Sequence, residues 1–162
     1  MLQFYCRAVA VPLPLRELIA RATGFPSALV ALEYLEPELK RVCNRLAQKV
    51  PRYEMNWARI ERGLLDFLMA NQIRDPFRAY HALQLLPRDA SGDQMVDALT
   101  EEFESAHAHI SMHEQADWLR ELTVKAAIAR DAWYSATQTY RYAKELRDVC
   151  KIERRRLQAE GL

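Results

Sequence analysis

Glycine, proline and β-branched residues are all in short supply in this 162-residue chain. Only four glycines occur (Gly24, Gly63, Gly92, Gly161) and seven prolines, the last of them Pro87. From Arg88 to Leu162 there is no proline, and Gly92 is the only glycine in that stretch before Gly161. Helix-favouring Ala, Leu, Arg and Glu take their place, which excludes an all-β fold. A phosphate cradle built on a glycine-rich loop is excluded as well, because such loops need several closely spaced glycines.

Cysteine is equally sparse. Cys6, Cys43 and Cys150 are odd in number, far apart and without a C-x-x-C pair. That pattern argues against a disulfide framework and for buried thiols in a reducing compartment. No apolar run approaches the ~18 residues of a membrane span. The apolar N-terminus lacks a basic leading segment and is interrupted by Arg7, so it does not read as a signal peptide. A cytoplasmic protein with no membrane partner is the expectation. Neither sign of charge dominates: 23 basic against 22 acidic residues leave a net charge of +1, which argues against bulk electrostatic binding to DNA or lipid.

What is present is an ordinary globular composition, half apolar and 28% charged. A chain of this length buries roughly 70% of the surface its unfolded form exposes. The expected architecture is an all-α helical bundle of five to seven helices with one long C-terminal helix, in a single domain over 1–162. Within it, 1–14 reads as an arm, 15–87 as short helices and 91–158 as two long helices.

The local signals are these. Leu2, Phe4, Cys6 and Ala8 alternate with polar residues, and Pro12 and Pro14 end that pattern. Leu15 to Thr23 reads as a short helix closed by Gly24. Ser27 is placed to cap a helix through Leu29, Leu32 and Leu35, which Pro37 kinks or restarts. Leu39, Val42, Cys43, Leu46 and Val50 mark the next apolar face, and Pro51 is expected to stop it. Trp57, Ile60, Leu64, Phe67, Leu68 and Asn71 follow helical spacing. Asp75-Pro76 starts another helix and Pro87 closes it. Ser91-Gly92-Asp93-Gln94 forms a capping box, and Ser111-Met112-His113-Glu114 a second one, where the proline-free stretch is expected to break. In the last helix, Leu119, Leu122, Ala126, Ala129, Trp133, Ala136, Tyr140 and Ala143 step by three and four, a heptad seam. Arg147 and Arg154 interrupt it, so it is expected to end near Ala143.

Charge is sorted along the chain. Lys40 to Arg62 holds seven basic and two acidic residues, and Arg88 to Asp117 one basic and eight acidic. Arg41, Arg45 and Lys49 stack at i, i+4 opposite the Leu39/Val42/Leu46 stripe, with Arg52 just beyond. Like charges at that spacing cost a helix about 0.2–0.5 kcal/mol per pair, so something should compensate. The first explanation is internal docking against the acidic segment Asp93, Asp97, Glu101, Glu102 and Glu104. The second is an external acidic partner or a phosphate backbone. The Arg154-Arg155-Arg156 triplet sits where a helix C-terminus favours positive charge.

Chemistry-bearing motifs are few. His109 and His113 lie one helical turn apart, a spacing that can chelate zinc or iron. His107 points elsewhere, and there is no H-E-x-x-H. A capping box at Ser111 would divide the group. They are therefore read as surface or helix-end histidines, with no metal, no cofactor and no catalytic residue assigned. The aromatic set Trp133, Tyr134, Tyr140 and Tyr142, interleaved with arginines, is the expected protein-binding surface. The functional expectation is a non-enzymatic interaction protein (an adaptor, regulator or assembly subunit) whose partner is a protein, with self-association one form of this. The alternative is a nucleic-acid-binding helical protein using Arg41, Arg45, Lys49, Arg52 and the C-terminal arginines.

Overall fold

The computed structural model of the chain describes residues 11–161. It is 83% helical with six helices and no strands among the described residues, an all-α bundle with a long C-terminal helix. The helices are α1 (Leu13–Thr23), α2 (Ala28–Ala70), α3 (Pro76–Gln84), α4 (Gly92–Ala98), α5 (Ala106–His113) and α6 (Ala116–Ala159), with a 3-10 turn at Thr100–Glu102. None of these helices is long and apolar enough to cross a membrane. The alternating Leu2–Ala8 segment lies outside the described residues.

The expectation of short helices from 15 to 87 is corrected by α2, one helix of 43 residues that contains both Pro37 and Pro51. An interior proline costs about 3 kcal/mol because it removes one backbone hydrogen bond and crowds the preceding turn. Both prolines sit at exposed positions, so the carbonyls they leave unpaired can turn to water. The opposite face carries Leu32, Leu35, Leu39 and Cys43, all buried. Each buried leucine stabilises by roughly 1.5–3 kcal/mol, and those on both sides of Pro37 together hold the helix across it.

Neither glycine nor proline ends α2. Gln72 takes a left-handed backbone (φ 60°). Its N–H donates to the Met69 carbonyl at 3.2 Å and the Ile73 N–H to the Leu68 carbonyl at 3.2 Å, a Schellman closure. Leu68 and Ile73 are both buried in one core, which supplies the accompanying apolar contact.

The predicted caps at Ser27, Asp75 and Ser91 all form. Ser27 Oγ accepts from the Val30 N–H at 3.2 Å, and Asp75 Oδ1 from the Arg78 N–H at 3.1 Å. At Ser91 both halves of the capping box are made with Gln94. Of the two long helices expected over 91–158, the second is found as α6, while two short helices over 92–113 stand in place of the first. The chain breaks at Leu99–Ser105, because Leu99 and Phe103 turn into the core and the backbone there pairs with the α2–α3 loop. Arg74 N–H donates to the Glu102 carbonyl at 2.9 Å and Glu104 N–H to the Gln72 carbonyl at 3.0 Å. The serine that caps α5 is Ser105, whose Oγ accepts from the Ala108 N–H at 3.1 Å. Ser111 lies inside α5 and caps nothing.

The chain forms two compact units, one running to Arg52 and resuming at Tyr134, the other Tyr53–Trp133. In the first, Leu15, Ile19 and Ala22 of α1 and the Leu32–Cys43 face of α2 share a core with Ala143, Leu146, Cys150 and Leu157 of α6. The seam therefore does not end near Ala143. Leu146, Cys150 and Leu157 carry it onward, while Arg147 and Arg154 occupy intervening positions half-buried. An arginine can do this because its aliphatic stem covers apolar surface and its head reaches a partner; Arg154 Nε lies 3.2 Å from Glu36 Oε2. In the second unit, Leu64 and Leu68 of α2, Leu83 of α3, Met95 and Val96 of α4, Met112 of α5 and Leu119 of α6 form the core.

Candidate functional site

The basic stripe lies on the exposed side of α2. Arg41, Arg45, Lys49 and Arg52 are all exposed. Arg41 pairs with Glu38 on its own helix. Arg45, Lys49 and Arg52 take part in no ion pair among the described residues. Three of the carboxylates named as the internal partner have partners within the second unit: Asp93 and Asp97 face histidines of α5, and Glu102 pairs with Arg78 at 3.1 Å. Of the four stripe cations, only Arg41 has a carboxylate partner among the described residues.

The aromatic set is divided. Trp133 stacks on Trp57 with ring centroids 5.1 Å apart and planes at 27°, an offset pair of α6 against α2. Such a pair adds about 0.5–1.5 kcal/mol beyond area burial. Tyr140 and Tyr142 are partly buried against the core of the first unit. Only Tyr134 is open, with 58% of its surface exposed. Beside the Trp57/Trp133 pair stands Tyr80, whose hydroxyl burial pushes up to about 12, with the neighbouring Glu61 carboxylate adding to the effect. Between α2 and α6 within the second unit runs an open groove of about 630 Å³, its apolar floor formed by Ile60, Gly63, Leu122 and Ala129 and its rim by Arg59 and Lys125.

Both described cysteines are free and buried, as expected. Burial raises the Cys43 thiol and pushes Cys150 up to about 11, with Glu36 contributing. Both therefore stay protonated and poorly nucleophilic near neutral pH.

The histidines are not divided as the sequence suggested. His109 and His113 project from one face of α5 toward Asp93 and Asp97, an i, i+4 pair on α4. His113 Nδ1 lies 2.8 Å from Asp93 Oδ1 and its Nε2 3.2 Å from Asp97 Oδ1. The Asp93 hydrogen bond, with Asp97 close by, raises the His113 pKa above the ordinary imidazole value. His109 Nε2 lies 3.9 Å from the same Asp97 oxygen, and its ring stacks on buried Phe103 at 5.1 Å. His107 is exposed and takes no part. The sequence signal for this cluster is the matched i, i+4 spacing of Asp93/Asp97 and His109/His113. The capping-box pattern at Ser111 obscures it: the chain does break just after it, at Glu114–Gln115, but a further break at Leu99–Ser105 is what sets α5 against α4.

The fold and these surfaces define an all-α helical protein with an exposed basic helix face. No family model matches the chain, and comparison with curated proteins and with solved structures likewise finds no match.

Proposed function

We propose that this chain is a non-enzymatic interaction protein that binds an acidic surface of a protein partner through the exposed face of α2. The observation that carries the reading is the stripe Arg45, Lys49 and Arg52: three cations on one helix face, open to solvent and without a carboxylate partner among the described residues. Holding like charges in a row costs stability, and an acidic partner removes that cost on binding while setting register. Tyr134, exposed and of a type enriched at binding hot spots, is a second contact. The buried free thiols are compatible with a reducing, cytoplasmic setting.

A protein partner is favoured over nucleic acid by the narrowness of the stripe. Nucleic-acid binders spread a basic surplus over a face or domain, whereas this chain is close to neutral and one of the four stripe cations is already paired with Glu38.

The test compares the wild type with an R45E/K49E variant in affinity capture from source cells, with and without nuclease, beside analytical ultracentrifugation. A discrete protein kept by the wild type after nuclease and lost by the variant supports the reading. So does self-association that the variant abolishes. Capture that disappears with nuclease, and salt-steep binding of a defined DNA or RNA oligomer, replaces it with the nucleic-acid alternative. Identical capture by both proteins removes the stripe as the binding face.

A further inference from the structure

Three potential ligand atoms converge between α4 and α5, and one of them, His109 Nε2, is buried without a hydrogen-bond partner. The ligand atoms of Asp97, His109 and His113 lie within 4.8 Å of one another. His113 Nδ1, 2.8 Å from Asp93, is placed to donate its N–H there. In the neutral ring this leaves the Nε2 lone pair facing the Asp97 carboxylate at 3.2 Å. His109 Nε2 is buried and has no hydrogen-bond partner, and the Asp97 oxygen it approaches is 3.9 Å away. A second proton on His113 would answer its contact with Asp97 and would still leave His109 Nε2 without a bond. A cation at the centre answers all three.

We infer that Asp97, His109 and His113 form a site for one divalent transition-metal ion, zinc by ligand type, that ties α4 to α5. Two imidazoles and one carboxylate suit zinc, a borderline-soft ion, and not magnesium or calcium, which prefer oxygen alone. Zinc bonds of about 2.0–2.2 Å set tetrahedral ligands roughly 3.3–3.5 Å apart. The His113–Asp97 separation of 3.2 Å already meets that figure. The 3.9 Å between His109 and Asp97 closes with a small ring movement.

The surroundings have the form of a supported metal site. Asp93 orients His113 through the ring nitrogen that does not bind the ion, the carboxylate–histidine–metal arrangement. The Phe103 ring, buried in the core and stacked on His109, limits that imidazole's rotation. Both histidines are partly buried, while the Asp97 side chain is 66% exposed, so an ion can enter from solvent and water can take the fourth position. Both α4 and α5 approach their C-termini here, where the helix dipole favours a cation.

The experiment is calorimetric titration of the full-length, tag-free protein, stripped with chelator, with zinc chloride, and separately with magnesium and calcium chloride. One equivalent of zinc is expected to bind saturably, with no response to magnesium or calcium. His109→Gln and His113→Gln should each abolish the one-equivalent step, and Asp93→Asn should weaken it roughly 10–100-fold as an orienting partner does. Far-UV circular dichroism identifies any variant that fails to fold. For such a variant, the cobalt(II) visible spectrum of the wild type, with the intense bands of a four-coordinate site, serves as the second readout. Absence of a one-equivalent zinc step, retention of it in both folded histidine variants, or preferential binding of magnesium or calcium overturns the site.

Discussion

A methyl group on Gly92 would stand 2.2 Å from the carbonyl oxygen of Ala116. The first turn of α4 lies directly on the first turn of α6, and only a residue without a side chain allows that approach. Gly92→Ala is therefore expected to destabilise by about 1–3 kcal/mol or more, since backbone must shift to admit the methyl group. Gly63 is the control. It lies inside α2, and a methyl group there would meet nothing within 4 Å, so Gly63→Ala should stabilise by roughly 0.5–1 kcal/mol. Urea unfolding of the two variants checks both signs, and a Gly92→Ala protein as stable as wild type would contradict the contact.

Ser91, Ser105 and Ser111 separate the structure from the local motifs. Ser91→Ala and Ser105→Ala each remove an N-cap hydrogen bond and should cost about 1 kcal/mol. Ser111→Ala, inside α5, should stay within about 0.5 kcal/mol of wild type. Thermal melts rank the three. A Ser111 variant that loses as much as Ser91→Ala would restore the cap that the sequence suggested there.

Tyr80 sets a pH dependence at the alkaline end. Its hydroxyl is pushed up to about 12 by burial and by Glu61, against about 10 in the unfolded chain. The native state thus holds a proton that the unfolded state releases earlier. The associated stability is complete below about pH 10 and is lost as pH rises from about 10 toward 12. Ultraviolet difference titration of the native protein should show a tyrosine step delayed toward pH 12. Tyr80→Phe should remove that late step and flatten the stability loss.

The seam beyond Ala143 carries stability of its own. Leu146 is fully buried in the first unit's core, and Leu146→Ala is expected to cost about 2–5 kcal/mol. The equilibrium unfolding midpoint reads the loss directly. A cost below about 0.5 kcal/mol would mean that the last turns of α6 are unsupported.

Composition and spacing by themselves determined the class of this protein and much of its inner face. A chain poor in glycine and β-branched residues, with leucines at helical intervals, has no economical fold except packed helices. Ser27, Asp75 and Ser91 were legible because a cap is a contact between residues three apart in the chain. What only tertiary structure decided involved partners far apart in sequence. Pro37 reads as a breaker, and burial of Leu35, Leu39 and Cys43 overrode it. α2 ends on Gln72 in a left-handed conformation that no residue type announced, because Ile73 and Leu68 share a core. The break at Leu99–Ser105 came from Phe103 folding inward beside Ile73, thirty residues earlier in the chain. That break is what turns His109 and His113 toward Asp93 and Asp97. The basic stripe was visible in the sequence as a row of charges. That Arg45, Lys49 and Arg52 have no ion pair among the described residues was not, since ion pairing depends on distances that spacing along one helix cannot supply.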